Sequence, residues 1–225
     1  MAMVLQNVVP FGRSFDEYVK MFNLSAEDLA GTILGVGDGP ASFNAEGTRL
    51  GHRIVSIDPV YAFSGAEIRS RFDAVVDDII NQVAASIDDW NWSYHRSPET
   101  LRINRTRALN AFLQDYDAGK QDKRYIAGEL PELPFESNQF SIALCSHFLF
   151  LYSNHFNEAF HLRSIQEMLR VATEVRIFPL LTLSLKPSPY IDQVVRSLNN
   201  LGRSATIQPV EYEFQRGGNQ MLVVR

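Results

Sequence analysis

The chain has 225 residues, of which 45% are hydrophobic and 21% charged, and its formal net charge is -5. This length suffices for one full α/β core, or for a core with a small cap, and the absence of a dominant basic patch argues against a nucleic-acid-binding protein. A single cysteine, Cys145, excludes a disulfide framework and a Cys-rich zinc site.

The N-terminal segment carries no targeting signal that we can identify. It lacks the basic region and the apolar length of a signal peptide, and no apolar run in the chain approaches the roughly 18 residues of a membrane span. We therefore expect a cytoplasmic protein without membrane contact. Residues 13–30 predict two short helices, and Ser25 with Asp28 three residues later resembles a capping box.

Residues 32–61 predict a strand, a glycine turn, a helix, a second strand and an acid. Gly35, Gly37 and Gly39 follow the first apolar run, and Asp58 ends the second. Such a unit binds a ribose-bearing cofactor at the carboxyl ends of its strands. The glycines allow close approach of a ligand to the backbone, the helix N-terminus suits an anionic group, and Asp58 can accept two hydrogen bonds from a ribose diol.

The spacing of these glycines differs from that of a dinucleotide site. A dinucleotide fingerprint requires Gly-x-Gly-x-x-Gly or Ala, and the residue at its last position is Pro40 or Ser42 here, depending on the starting glycine. The glycine spacing therefore argues against a nicotinamide-dependent oxidoreductase, which we keep as a third alternative to the two functions named below.

The segment between the second and third predicted strands, residues 63–123, is unusually long. Apolar residues at helical spacing predict two long helices, near Ala66–Ile87 and Leu101–Tyr116. The aromatic loop between them either walls a substrate pocket or anchors the helices to the core, and we favour the anchoring role; its members are Trp90, Trp92, Tyr94 and His95. A small basic run, Arg102, Arg105 and Arg107, predicts a solvated helix face.

The rest of the chain alternates strands with helices. Strands are predicted near residues 53–57, 124–127, 141–145 and 174–181, and helices near residues 154–172 and from Ser188-Pro189 to Leu201. Two β-rich segments, 205–214 and 220–224, flank a predicted hairpin turn at Arg216–Asn219. The alternation indicates a mostly parallel sheet that is covered on both faces.

Two blocks of the sequence resemble the class I S-adenosylmethionine (SAM)-dependent methyltransferases. The turn Gly35-x-Gly37-x-Gly39 is similar to motif I of that family, and a second block is similar to the family's segment after strand three, with Gly128, Glu129, Leu133, Pro134 and Phe135 as counterparts. The resemblance covers about residues 31–225. It implies a single domain over residues 1–225, with a doubly wound, seven-stranded, mostly parallel sheet, helices on both faces and an antiparallel C-terminal hairpin strand. Residues 1–30 would form an N-terminal helical lid and residues 63–123 a helical insertion.

The resemblance also implies SAM as the cofactor and assigns the site. The residues expected at the cofactor are Gly35, Val36, Gly37, Gly39, Asp58, Pro59, Glu129, Leu130 and Ser146. The family's acceptor lies just past strand four, where His147 is the candidate base because the unperturbed pKa of histidine lies near neutrality. Alternatively, His147 has a structural role. Arg13, Phe15 and Tyr18 are candidate lid residues or simply part of the packing.

Absent motifs favour a small-molecule acceptor. The Asn/Asp-Pro-Pro-Tyr/Phe motif of methyltransferases that act on base amino groups is missing after strand four, and Cys145 lacks the Pro-Cys context of cytosine-C5 enzymes.

Ile33, however, occupies the position where the family usually has an acid. This departure supports the second alternative, a non-catalytic SAM-binding or regulatory protein on the same fold. Neither the acceptor atom nor the oligomeric state follows from the sequence.

Overall fold

One seven-stranded sheet forms the centre of the structure. The computed structural model describes residues 9–225, and residues 1–8 of the predicted N-terminal segment lie outside the described residues. The strands are β1 (Thr32–Val36), β2 (Arg53–Ile57), β3 (Tyr125–Ile126), β4 (Phe140–Ser146), β5 (Ala172–Phe178), β6 (Ala205–Pro209) and β7 (Gln220–Val224). Their order is 3-2-1-4-5-7-6. Strands β3, β2, β1, β4 and β5 are parallel, whereas β7 is antiparallel to both β5 and β6. The predicted fold class is confirmed.

Seven α-helices in the described part of the chain surround this sheet. They are α1 (Phe15–Met21), α2 (Ala26–Ala30), α3 (Phe43–Arg49), α4 (Gly65–Ala85), α5 (Pro98–Gln121), α6 (Glu158–Val171) and α7 (Ile191–Asn200). Local sequence fixes several of their starts. Ser14, Ser25 and Ser64 each form a full capping box, and α5 begins with Pro98 after the cap residue Ser97.

The two faces of the sheet bury two different sets of apolar residues. Alternate residues along one strand point to opposite faces. Ile33 and Ile142 accordingly join one hydrophobic cluster, and Leu34 and Ala143 join the other. The cluster of Leu34 and Ala143 is covered by α6 and α7, which contribute residues such as Ile165, Met168, Val194 and Leu198.

The insertion, residues 63–123, packs on the first of these faces. The apolar stripes of α4 and α5 contribute Ile68, Phe72, Ile79, Leu109 and Phe112 to the same cluster as Ile33 and Ile142. Both helices form as the periodicity predicts: α4 lies close to its predicted bounds, and α5 extends beyond its predicted bounds at both ends. Their buried stripe is therefore part of the main core.

Several predicted boundaries differ from those in the structure, and three of them belong to β6, α7 and β5. The C-terminal hairpin forms, but β6 ends at Pro209, because residues 210–219 leave the sheet to contact the insertion, where Asn91 N donates to Phe214 O at 2.8 Å. Helix α7 starts at Ile191, two residues after Pro189, because the Ser188 hydroxyl is buried against Ser153 at 2.7 Å. Strand β5 ends at Phe178, before a cis bond to Pro179.

Candidate functional site

An open chamber lies at the carboxyl ends of the central strands. Val36, Ile57 and Cys145 are in register on β1, β2 and β4, so the residues that follow them meet at one edge of the sheet. The space open to water-molecule centres there is about 780 Å³, within the range of small-ligand sites. We call it the outer chamber. Its lining includes Phe11, Arg13, Gly37, Asp38, Gly39, Asp58, Pro59, Val60, Phe63, Ile79, Ser146 and His147.

The glycine turn is held in a conformation that side chains disfavour. Gly37 and Gly39 have φ angles of 69° and 55°, in the left-handed region. A Cβ on Gly39 would meet nothing within 4 Å, so its backbone is open to the chamber. Gly35 lies beneath the turn, where a Cβ would overlap the Asp38 carboxylate.

Asp58 connects the end of β2 to this turn. Its Oδ2 accepts a hydrogen bond from Gly39 N and its Oδ1 one from Val60 N, both at 2.8 Å. Each oxygen retains a further lone pair for a ligand hydroxyl. Burial raises the pKa of Asp58 to about 6, against the effect of the two backbone hydrogen bonds.

Asp38 turns inward, under the glycine turn. Its Oδ1 accepts a hydrogen bond from Tyr18 Oη at 2.6 Å and its Oδ2 one from Ser56 Oγ at 2.7 Å. Burial raises its pKa to about 7. Ile33 is fully buried in the core and contributes nothing polar to the chamber.

His147 follows β4 in a left-handed conformation, with a φ of 52°. Its backbone N donates to Phe178 O at 2.6 Å, and its Nδ1 lies 3.0 Å from Ser146 Oγ. Burial, reinforced by the nearby guanidiniums of Arg13 and Arg105, lowers the pKa of His147 well below its ordinary value. The imidazole is therefore neutral near pH 7, and a neutral ring can accept one hydrogen bond.

Six of the ten residues that the sequence assigned to the site line the outer chamber: Gly37, Gly39, Asp58, Pro59, Ser146 and His147. Gly35 and Val36 lie on β1 and are buried, Gly35 beneath the turn and Val36 in the core. Glu129 is exposed and Leu130 is buried in the core, on the segment after β3. Glu129 is still close enough for its charge to raise the pKa of Asp58 further, after the effect of burial.

The segment before α1 lies directly on the glycine turn. Gly12 approaches so closely that a Cβ would overlap Pro40, and Ser42 N donates to Arg13 O at 3.0 Å. This contact brings the Arg13 side chain into the chamber wall. Tyr18 binds Asp38, whereas Phe15 stacks on Phe43 at 5.6 Å and packs outside the chamber.

Arg105 corrects the prediction of a solvated basic face. It is only 1% exposed, and its Nη1 and Nη2 donate to the two carboxylate oxygens of Glu17 at 2.7 and 2.8 Å. Tyr212 Oη donates to Glu17 Oε1 at 2.9 Å, and His95 Nε2 lies 3.0 Å from Tyr212 Oη. We call Glu17, His95, Arg105 and Tyr212 the buried ionic network. Its sequence signal is the spacing of Leu101, Arg105 and Leu109, four residues apart on one buried helix face.

Burial opposes ionisation of Glu17, but the Arg105 guanidinium overcomes that effect and holds the pKa of Glu17 well below its ordinary value. Trp90 of the aromatic loop stacks on Phe214 at 4.8 Å and His95 is fully buried, as the anchoring role predicts, and Trp90 also lines a small cavity.

Neither a metal-binding cluster nor a membrane-spanning helix is found among the described residues, 9–225. No group of three or more His, Cys, Asp or Glu side chains in this part of the chain is arranged to hold a metal ion. No helix in the same part combines the length and hydropathy needed to cross a bilayer.

Two solved structures share the fold. The magnesium protoporphyrin IX methyltransferase ChlM from Synechocystis PCC 6803, solved with bound SAM, matches with a TM-score of 0.50 and 10% identity, over 93% of this chain and 76% of that one. The mitomycin 7-O-methyltransferase MmcR matches with a TM-score of 0.51 and 10% identity, over 94% of this chain and 53% of that one. This chain thus spans about half the length of MmcR. The fold is that of the class I SAM-dependent methyltransferases.

At the sequence level the chain has a clear relative. It is 35% identical over 222 residues to the uncharacterized protein MJ0045 of Methanocaldococcus jannaschii, an alignment that covers 98% of this chain and 97% of the relative. The chain belongs to the same protein family as MJ0045. No family model matches the sequence.

Proposed function

We propose that the protein is a SAM-dependent methyltransferase that acts on a small-molecule acceptor. The observation that carries the proposal is the outer chamber, where the open glycine turn and the Asp58 carboxylate meet Ser146 and His147 at the carboxyl ends of β1, β2 and β4. ChlM and MmcR, which share the fold, carry methyltransferase names. A cytoplasmic location is part of the same proposal, as is the absence of nucleic acid among the substrates.

The residues of the outer chamber fit SAM. Asp58 offers free lone pairs to a ribose diol, and Val60 and Phe63 supply an apolar wall for a flat ring. Within the described residues, neither Asp38 nor Asp58 forms an ion pair, and burial raises the pKa of both. A cationic ligand would stabilise their ionised forms. SAM, when bound, supplies a methyl group that its sulfonium already activates.

The chain's own residues position the acceptor. His147 and Arg13 line both the chamber and a smaller cavity beside it, and the neutral imidazole can accept a hydrogen bond from an O–H or N–H of the methyl acceptor. Residues of the N-terminal segment 9–13 and of α4 line the chamber opposite the strand ends. We infer that His147 orients the acceptor, because a group with so low a pKa holds a transferred proton weakly.

The test is a calorimetric titration of the protein with SAM, its demethylated product S-adenosylhomocysteine, and NADH. We expect SAM and its product to bind, and the Asp58→Ala variant to bind them more weakly by about 1–3 kcal/mol, because it leaves ligand hydroxyls unpaired. Asp73→Asn, at an exposed position of α4, is the matched control and should bind normally.

Three outcomes would redirect the assignment. An unchanged affinity in Asp58→Ala would remove Asp58 from the ribose site. SAM binding without methyl transfer to any metabolite pool would favour the non-catalytic alternative that Ile33 suggests. Tighter binding of NADH than of SAM would support a nicotinamide-dependent oxidoreductase.

A further inference from the structure

A second cavity adjoins the outer chamber. Five residues line both spaces: Val9, Phe11, Arg13, Ile79 and His147. We call this second space the inner cavity. The space open to water-molecule centres is about 70 Å³, several times the roughly 10–15 Å³ that one buried water needs. Its other walls are mainly apolar and include Val83, Trp90, Leu101, Leu151, Leu183 and Phe214.

Unpartnered polar atoms are concentrated at the inner cavity. Five buried side-chain nitrogen or oxygen atoms in the described residues have no hydrogen-bond partner, and three of them belong to side chains that line this cavity: Arg13 Nε, Arg105 Nε and Gln215 Oε1. Arg105 is 1% exposed and Gln215 is 7% exposed. Buried polar groups in native proteins are nearly always satisfied by protein, water or ligand. The side chains that line the cavity therefore carry two unpartnered donors and one unpartnered acceptor.

The inner cavity also carries an excess of positive charge. Glu17 pairs with the Nη atoms of Arg105, whereas among the described residues Arg13 donates only to the backbone oxygen of Phe11, at 2.6 Å. No acidic side chain is among the described residues that line the cavity. Burial, and then the charge of Arg105, lower the pKa of Arg13 to about 10, so Arg13 stays cationic at neutral pH. One positive charge is thus uncompensated.

We propose that the methyl acceptor is an apolar small molecule that carries one oxyanion, a carboxylate or a phosphate, and that this oxyanion enters the inner cavity, where Arg13 and Arg105 hold it. Guanidinium groups suit oxyanions because they offer several donors in one plane. Phe11, Trp90 and Phe214 give the cavity an aromatic, apolar wall beside these guanidiniums, and Gln215 Oε1 can accept a hydrogen bond from a donor on the ligand. The identity of the ligand as the methyl acceptor rests on the proposed function, in which SAM occupies the outer chamber. The binding of an anion in the inner cavity does not depend on that function.

The experiment compares three probes of similar shape by calorimetry on the full chain: benzoate, phenyl phosphate and the neutral benzamide. We expect at least one anion to bind tenfold or more tightly than benzamide, and the tighter anion distinguishes a carboxylate site from a phosphate site. Arg13→Gln should abolish this preference and Arg13→Lys should retain part of it. Arg107→Gln, an exposed change of equal charge on α5, should leave it intact.

The inference is overturned if benzamide binds as well as both anions, if no probe binds, or if the preference survives in Arg13→Gln. Loss of binding in Arg13→Gln counts as support only where circular dichroism shows a native fold. SAM titrations on the same samples separate the two proposals. SAM binding without an anion preference removes this inference and keeps the proposed function. An anion preference without SAM binding keeps the proposed anion site and removes the proposed function.

Discussion

At the scale of single residues, the site depends on carboxyl groups kept out of water. Asp38 is 6% exposed and Asp58 is 9% exposed, and both sit beside the glycine turn. Their hydrogen bonds come from two hydroxyls and from two backbone N–H groups, respectively. Such neutral donors compensate only part of the cost of burying a charge. The turn is therefore built on groups whose ionisation opposes folding.

This arrangement predicts a pH dependence of stability. Burial raises the pKa of Asp38 from 3.8 to about 7, so between these values the folded state holds a proton that the unfolded state releases. The contribution of Asp38 to the free energy of unfolding is fully present below its unfolded pKa of 3.8 and is lost as the pH rises through its folded pKa of about 7. Relative to Asp38→Asn, wild-type stability should fall between pH 4.5 and 7 by up to about 1.4 kcal/mol per pH unit.

Guanidinium denaturation at several pH values measures this effect. Asp73→Asn, an exposed control, should follow the wild type. Parallel curves for the wild type and Asp38→Asn would show that Asp38 ionises normally in the folded protein.

Sequence reasoning reached the site residues that depend on local pattern. The glycine turn and Asp58 stand next to each other in space because parallel strands in register bring their ends together. Arg105 could not be placed in the same way, because its partner Glu17 is 88 residues away in sequence. A charged residue is usually solvated, and only the apolar spacing of Leu101 and Leu109 around it indicated otherwise.

At the scale of secondary-structure elements, the buried ionic network joins three distant parts of the chain. Glu17 belongs to α1, Arg105 to α5, and Tyr212 to the loop between β6 and β7. His95 lies between the two insertion helices and contacts both Tyr212 and Arg105. The network fixes the position of α1, and hence of Arg13, against the insertion.

We therefore expect Glu17→Gln to destabilise the protein by about 3–5 kcal/mol, because it leaves the Arg105 charge buried without its counterion. Urea denaturation measures the change. Arg102→Gln, also on α5, removes a partly exposed ion pair with Asp77 of α4 and should cost no more than about 1 kcal/mol. Equal costs for the two variants would mean that the network contributes no more than a surface pair.

The sequence predicts which helices and strands form better than it predicts where each one begins and ends. The two insertion helices follow from apolar periodicity, because that stripe must be buried wherever the helices pack. The end of β6 and the start of α7 depend on contacts with Asn91 and Ser153, which are remote in sequence. Local propensity carries no information about such contacts.

At the scale of the whole molecule, the insertion and the sheet share one hydrophobic cluster. Phe72 and Phe112 of the insertion belong with Ile33 and Ile142 of the sheet. A region that shares its core and a buried ionic network with the rest of a domain is expected to unfold with it.

The two tryptophans of the chain, Trp90 and Trp92, both lie in the insertion and pack on Phe214, so their fluorescence reports on the insertion and on its contact with the loop between β6 and β7. Far-ultraviolet circular dichroism reports on all helices and strands. We expect the two signals to give the same denaturation midpoint in urea. A lower midpoint by fluorescence would mean that the insertion opens as a separate unit while the sheet stays folded.

The residues that line the inner cavity have a consequence for folding during synthesis. Val9 and Phe11 face the same space as Phe214 and Gln215, more than two hundred residues later in the chain. A growing polypeptide on the ribosome can form the glycine turn early, but it cannot complete this cavity until residue 215 has been synthesised and has emerged. The glycine turn and the inner cavity can therefore form at different times. A nascent chain passes through a stage in which the residues of the turn have been synthesised and the cavity is still incomplete.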